Sequence, residues 1–260
     1  MNVSKVNLVY FSPTRTSRLI SSAVAKGTGL SVNHVDLTLS GSEIVDFSAD
    51  ELVIFAAPVY SGRIPETAVD RFKQIKGSGT PSVIIVVYGN RAYEDAVLEL
   101  KNIVQDQNFL PIGAGAFIGE HSFHSEELPI AKDRPDGNDI QTAMNFGKRV
   151  REKLSNPLDS IDLNIPGEMP YRVRRRREEN VSPETLDNLC ILCGLCADVC
   201  PTSAITLGKS VSTSQALCIR CCACIKECPT GARVPTSNIT KIAKWLHDEY
   251  SERKEPEIFI

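Results

Sequence analysis

The 260-residue sequence predicts two unlike modules on one chain. The first, residues 1–156, reads as an α/β domain with a doubly wound, five-stranded parallel sheet. The second, residues 182–235, reads as a small α+β module rich in cysteine. Residues 157–181 join them, and residues 236–260 form a C-terminal helix and tail. Three observations carry this division. Strand-like and helix-like segments alternate through the first 155 or so residues, which favours a parallel sheet covered on both faces. The central strand segments are apolar without interruption, as strands buried on both faces are. All nine cysteines lie between Cys190 and Cys228.

The elements follow in order. Lys5–Phe11 alternates apolar and polar residues, with Val6, Leu8 and Tyr10 on one side. Ser17–Lys26 has Leu19, Ile20, Ala23 and Val24 at helical spacing, and Gly27 reads as the stop signal. Ser31–Asp36 is a short second strand. Glu51–Ala57 (ELVIFAA) is a central strand. Pro65 suits the first turn of a helix whose stripe is Ala68, Val69, Phe72 and Ile75. Ser82–Tyr88 (SVIIVVY) is a second central strand. Tyr93–Gln107 is helical, with Ala96, Val97, Leu100, Ile103 and Val104 inward. Leu110–Ile118 is a glycine-rich fifth strand, and Asp139–Leu154 is a helix carrying Ile140, Ala143, Met144, Phe146, Gly147 and Val150. Five parallel strands match the order 2-1-3-4-5, with the ligand crevice beyond the carboxyl ends of strands one and three.

Composition removes several function classes. A formal net charge of −3 gives no global field toward nucleic acid or an anionic membrane. No apolar run approaches the roughly 20 residues of a membrane span. The N-terminal MNVSKVNLVYF enters a strand pattern directly, without the apolar stretch and cleavage site of a signal peptide. The expectation is a cytoplasmic protein in a reducing compartment.

Three loops fall at the carboxyl ends of the sheet. Ser12–Ser17 offers the hydroxyls of Ser12, Thr14, Thr16 and Ser17 at a helix N-terminus, where anions are favoured. Pro58–Ile64 (PVYSGRI) offers the flat ring of Tyr60. Gly89–Glu94 (GNRAYE) offers the Asn90 amide and Tyr93. On these residues the first module resembles a flavodoxin domain over roughly residues 3–155. In that family the first loop runs hydroxyl-x-Thr-Gly-x-Thr and holds the FMN phosphate, while the other two loops flank the isoalloxazine. The resemblance implies FMN binding by Ser12, Thr14, Arg15, Thr16 and Ser17, by Pro58, Val59, Tyr60, Ser61 and Gly62, and by Gly89, Asn90, Arg91 and Tyr93. Arg15 departs from the family glycine. It either strains the turn or brings a guanidinium to the phosphate. His121 and His124 (GEHSFHSE) are further candidates to line the crevice.

The strongest signal is the pair CILCGLCADVCP (190–201) and CIRCCACIKECP (218–229). Each fits C-x-x-C-x-x-C-x-x-x-C-P, the spacing that supplies thiolates to [4Fe–4S] clusters. In two-cluster ferredoxins the fourth cysteine of a run ligates the other cluster. One cluster then takes Cys190, Cys193, Cys196 and Cys228, and the other takes Cys218, Cys221, Cys224 and Cys200. Cys222 breaks both spacings if used, so it reads as a buried or spare thiol. A zinc ribbon would use two cysteine pairs, and a disulfide scaffold would need an oxidising compartment. Residues 182–235 resemble a bacterial two-cluster ferredoxin, with Ile191, Leu192, Val199, Ile219 and Ile225 shielding the clusters.

In the linker, Arg172 and Arg174–Arg177 form a basic run. It reads as a solvated segment balanced by Glu178 and Glu179, or else as a docking patch for an acidic redox partner. Ser237–Ser251 is helical, with Ile239, Ile242, Leu246 and Tyr250 in a stripe and Trp245 beside it. The whole chain resembles a flavodoxin–ferredoxin fusion. That implies electron transfer between two [4Fe–4S] clusters and an FMN, serving an external redox partner. The sequence has no clear general acid or base, which favours an electron carrier over a flavin-dependent oxidoreductase. A ferredoxin whose first domain no longer binds flavin is the third reading.

Overall fold

The computed structural model describes residues 3–41, 45–156, 163–174 and 181–260. The first module runs β1 (Lys5–Tyr10), α1 (Thr16–Thr28), β2 (Ser31–Asp36), β3 (Asp46–Phe47), β4 (Leu52–Pro58), α2 (Glu66–Phe72), β5 (Lys76–Gly77), β6 (Thr80–Tyr88), α3 (Ala96–Asp106), β7 (Phe109–Ile118) and α4 (Gly137–Leu154). Then come β8 (Glu184–Thr185), α5 (Leu195–Asp198), β9 (Ile205–Leu207), β10 (Val211–Thr213), α6 (Ala223–Lys226), β11 (Arg233–Val234), α7 (Ser237–Glu249) and β12 (Glu257–Phe259). The main sheet has the order β2-β1-β4-β6-β7-β12. Its first five strands are parallel, and β12 joins antiparallel to β7. The C-terminal tail therefore completes the sheet of the first module, a pairing that the sequence expectation lacked.

Side-chain alternation splits the core into two layers. Val9, Phe11, Val53, Phe55, Ile84 and Val86 face α2 and α3. Val6, Leu8, Leu52, Ile54, Val83 and Ile85 face α1 and α4. All twelve side chains are fully buried, and each such burial contributes about 1.5–3 kcal/mol. This explains why β4 and β6 are apolar throughout.

Two expected boundaries shift for local reasons. Helix α1 continues through Gly27 to Thr28, and Gly29, at φ 69°, ends it in the left-handed conformation. Gly27 is instead a packing residue. A Cβ there would lie 2.0 Å from the Met144 carbonyl oxygen, and one on Gly147 would lie 2.0 Å from that of Val24. Helices α1 and α4 cross backbone to backbone at these two glycines. Gly147→Ala is expected to destabilise the domain by about 1–3 kcal/mol through overpacking. A lowered guanidinium midpoint would show it, and an unchanged one would mean that the crossing can relax. Helix α3 begins at Ala96 rather than Tyr93, because Glu94 holds a positive φ of 45°.

The described linker residues are largely exposed but are tied to the first domain at several points. Leu163 joins its core. The Asp95 carboxylate accepts from the N–H of Glu168 and of Arg172. Arg172 pairs with Glu94, and Arg174 with Glu99. These two arginines are thus each paired with a carboxylate of the first domain while staying partly exposed. Arg175–Arg177 lie outside the described residues, as do Glu178 and Glu179.

The cysteine-rich module is built as an internal repeat. Four-residue helices α5 and α6 lie within the two runs, and each is preceded by a left-handed residue, Gly194 at φ 86° and Cys222 at φ 58°. Strands β9 and β10 pair, as do β8 and β11. Its apolar core is tiny, with Ile205, Val211 and Ile225 packed among cysteines. Ile191 and Leu192 are 66% and 45% exposed. They do not cover the interior as expected, whereas Cys196 is buried. Helix α7 packs Ala243 and Leu246 on Ile130, Phe123 and Leu128 of the first module.

Candidate redox site

At the carboxyl ends of β1 and β4 lies a cavity of about 260 Å³. One ordered water needs only about 10–15 Å³ on the same measure, so the space is ligand-sized. Its floor is the loop before α1, with Ser12, Thr14, Thr16 and Ser17 on the cavity. Ser12 Oγ accepts from Arg18 N at 3.1 Å, which folds the loop back on the helix. Among the described residues, the N–H groups of Thr14, Thr16 and Ser17 meet no protein acceptor. The first turn of α1 also has no acidic residue. Three free donors at a helix N-terminus form a cradle for an anion. This donor set fits a phosphate.

Arg15 adopts φ 65°, the left-handed conformation that a glycine takes without strain. Its guanidinium does not enter the cavity but pairs with Glu227 at 3.0 Å. Of the two readings of Arg15, the strained turn is the one this conformation matches, with the guanidinium engaged by Glu227.

In the second loop, Tyr60 and Arg63 bridge across Ser61 and Gly62, whose φ values of 53° and 82° make a tight turn. Pro58, Val59, Tyr60 and Ser61 line the cavity, while Gly62 lies behind it against Glu94. Burial raises the Tyr60 phenol well above its ordinary pKa, and negative charge on Cys221, Cys222 or Cys218 would raise it further, so it remains neutral.

The third loop departs most from expectation. Arg91 lines the cavity. Asn90 does not. Its Nδ2 donates to the carbonyls of Tyr250 and Glu252 at 2.6 and 2.8 Å. Tyr93 donates to Glu257 at 2.8 Å. Both are turned away by the C-terminal tail, which runs along this edge to reach β12. Gly89 acts by absence of a side chain: a Cβ there would lie 2.1 Å from the His121 ring.

His121 lines the opposite wall with Gly119, Glu120 and Phe123. Its Nδ1 accepts from Phe123 N at 3.0 Å, so the ring is the neutral Nε2–H tautomer. Burial, then Lys226 and Arg91, lowers its pKa to about 4. The unfolded chain binds this proton near pH 6.5 and the folded chain does not until about 4. Stability is therefore full above about pH 6.5 and falls as the pH drops from there toward about 4. His121→Gln is expected to flatten this part of the stability–pH curve, measured by denaturant midpoints from pH 7 to 4. A wild-type curve already flat across this range would rule out the assignment.

The remaining walls come from distant segments: Arg172 of the linker, Ile219 and Arg220 of the second cysteine run, and Ile242, Trp245 and Leu246 of α7. Only tertiary packing brings these here. Ile219 packs on the core of the first domain. The ion pairs Lys226–Glu120 and Arg15–Glu227, at 2.8 and 3.0 Å, flank it. Arg71 Nη2 donates to the Pro201 carbonyl at 2.6 Å.

Beside this cavity is a smaller one, lined by Cys200, Cys218, Cys221, Cys222 and Cys224 among others. Cys200, Cys218, Cys221 and Cys224 are the set that the spacing joins into one cluster. Ala204 N donates to Cys200 Sγ at 3.2 Å. Burial pushes the Cys221 thiol up to about 12. Such a thiol stays protonated unless a metal takes its proton. Among the described residues no three His, Cys, Asp or Glu side chains converge on one point as for a single ion. A cube binds each thiolate to a different iron, so its ligands line a volume instead, as these four do. They fit the group. Of the other set, Cys196 is buried and Cys193 exposed, with Leu189, Ile191, Leu192 and Leu195 exposed nearby.

Fold and site together define a doubly wound α/β domain of flavodoxin-like strand order carrying an iron–sulfur segment. Residues 185–206 match the family described as a 4Fe-4S binding domain, a match that spans the first cysteine run. No curated protein matches the chain. Among solved structures, a flavodoxin from the domain Archaea is 13% identical over 58% of this chain and 99% of its own, with a TM-score of 0.39. The Streptococcus pneumonia TIGR4 flavodoxin is 16% identical over 58% and 99%, with a TM-score of 0.41. The Fusobacterium nucleatum flavodoxin bound to flavin mononucleotide is 12% identical over 58% and 99%, at 0.40. Likeness at this level transfers no residue roles. No helix among the described residues is long and apolar enough to cross a membrane.

Proposed function

We propose that this chain is an electron-transfer protein. Cys190, Cys193, Cys196 and Cys228 hold one [4Fe–4S] cluster, and Cys200, Cys218, Cys221 and Cys224 hold a second. The large cavity holds FMN, with its phosphate on the N–H groups of Thr14, Thr16 and Ser17. One observation carries this reading: a single cavity is lined both by the hydroxyl loop before α1 and by Ile219–Arg220, the residues between Cys218 and Cys221. A ligand there touches the loop that wraps the second cysteine set.

Clusters pass single electrons, and a flavin joins one-electron to two-electron chemistry. The protein's own part is positioning. Tyr60 and Ile219 exclude water between the two sites, and Tyr60 stays protonated. Neutral His121 adds no charge to the wall. Ile242, Trp245 and Leu246 roof the cavity. An external redox partner would reach the first cluster from the exposed side of the first cysteine run, rather than at Arg172 and Arg174.

The test is anaerobic purification followed by heat release of the cofactor, its chromatographic identification, and iron and sulfide counts on the same sample. About one FMN and about eight irons per chain are expected. Eight irons with no flavin and no uptake of added FMN would leave a ferredoxin whose α/β domain serves another purpose.

A further inference from the structure

Arg233 is a buried cation without a carboxylate. It is 3% exposed. Its guanidinium donates to Thr185 Oγ1 at 2.7 Å, to the Pro183 carbonyl at 3.0 Å and to Thr213 Oγ1 at 3.0 Å. All three acceptors are neutral. The fourth is the sulfur of Cys224, at 3.6 Å from Nη2. Its Nε is buried with no partner. Among the described residues, no Asp or Glu forms an ion pair with it. A buried charge without a counter-charge is strongly disfavoured. Three neutral hydrogen bonds orient this guanidinium but do not neutralise it.

The internal repeat sharpens the point. Cys200-Pro201-Thr202-Ser203-Ala204-Ile205 and Cys228-Pro229-Thr230-Gly231-Ala232-Arg233 are the same segment in the two halves. Ser203 and Gly231 hold matching positive φ values of 52° and 67°. The last position is buried in both halves, at 7% for Ile205 and 3% for Arg233. One half fills it with an alkyl side chain and the other with a permanent cation. Arg233 also lines the same small cavity as Cys200, Cys218, Cys221 and Cys224.

We propose that Arg233 is the built-in counter-charge of the second cluster, raising its reduction potential above that of the first and so directing electrons toward the cluster beside the large cavity. The inference rests on the two-cluster reading above. A cube bound by four thiolates is anionic and gains one further negative charge on reduction. A fixed cation that hydrogen-bonds a ligand sulfur stabilises the reduced form more than the oxidised one. Net charge and hydrogen bonds to sulfur are among the factors that set such potentials. Electrons entering at the exposed first run would then collect on the second cluster, next to Tyr60 and Ile219.

The experiment is an anaerobic redox titration of the full chain, followed by the electron paramagnetic resonance of the reduced clusters, with iron counted in each sample. Two variants are compared with the wild type, Arg233→Gln and Arg233→Lys. In Arg233→Gln one of the two midpoints is expected to fall by at least tenfold in the redox equilibrium, 59 mV for one electron, while the other falls by less, since Arg233 also faces the charge on Cys196 but donates a hydrogen bond to Cys224. Arg233→Lys keeps the charge without the fork and is expected to fall by less. Should Arg233→Gln lose iron, the reading passes to Arg233→Lys, whose midpoint must still drop. Unchanged midpoints in a variant that keeps about eight irons overturn the proposal and leave the two clusters standing. A wild type with about four irons overturns the two-cluster reading itself, and this proposal with it.

Discussion

Replacing Cys221 by serine is expected to reduce bound iron from about eight to about four atoms per chain, and to unfold the segment that carries the second run. Cys221 is buried and lines the small cavity with Cys200, Cys218 and Cys224. Little else holds this segment, since its apolar core amounts to a few side chains around Ile205, Val211 and Ile225. Where a metal group replaces a core, losing the group means losing the fold. Because Ile219 and Arg220 also line the large cavity, flavin retention should fall with the iron. The neighbouring thiol is the control. Cys222 is equally buried but occupies the repeat position of Gly194, at a left-handed φ of 58°. Its sulfur faces the Arg220 carbonyl at 3.7 Å. Cys222→Gly is therefore expected to keep all the iron, at a conformation that glycine accepts readily. Iron counts on the two variants decide the frame, and full iron in Cys221→Ser with loss in Cys222→Gly would reverse it.

Glu99→Gln is expected to cost about 3–5 kcal/mol and to loosen the cavity wall at the same time. Glu99 is 3% exposed. It accepts from Arg63 Nε at 2.8 Å and Nη2 at 2.7 Å, from Arg174 Nη2 at 2.7 Å and from Ile64 N at 2.9 Å. The Arg63 pair is bidentate, the stronger form of such contacts. Arg63 in turn donates to the Arg172 carbonyl at 2.6 Å and lies over the Tyr171 ring at 4.5 Å. One carboxylate thus anchors the linker and the Tyr60–Arg63 turn together. The glutamine variant keeps the shape but leaves Arg63 without its bidentate anion and Arg174 with only the exposed Glu66 carboxylate, at 3.7 Å. Denaturant midpoints should fall by the stated amount, and added FMN should bind more weakly. A loss of less than about 1 kcal/mol, the range of a surface pair, would show that solvent replaces the carboxylate there.

Parts of the site were legible in the sequence because their chemistry is local. The cysteine spacing is set by the tight loop that wraps a cube, and a few residues suffice to display it. The hydroxyls of Ser12, Thr14, Thr16 and Ser17 stand at a strand-to-helix turn, where free N–H groups follow from helix geometry alone. Tyr60 and Arg91 were legible through their loops. Asn90 and Tyr93 misled for a definite reason. Nothing near them in sequence indicates that residues 250–257 will run past and take their hydrogen bonds. Gly27 misled because a glycine near a helix end looks the same whether it stops the helix or lets another helix approach.

The amino-acid sequence by itself determined the alternation of strands and helices, the apolar central strands, the two cysteine runs and the hydroxyl loop. Each rests on a short-range period or spacing: two residues for a strand, 3.6 for a helix, three between thiolates. The tertiary structure alone decided that β12 returns to the sheet of the first module, that Arg172 and Arg174 fold inward onto Glu94 and Glu99, and that Ile219 brings the second cysteine run against the large cavity. It also decided the company of Arg233, whose partners come from positions 183, 185, 213 and 224. Most of these contacts join segments from twenty to more than a hundred residues apart, the Arg233–Cys224 contact spanning nine. They are selected by burial and charge compensation in the folded chain, and no local pattern encodes them.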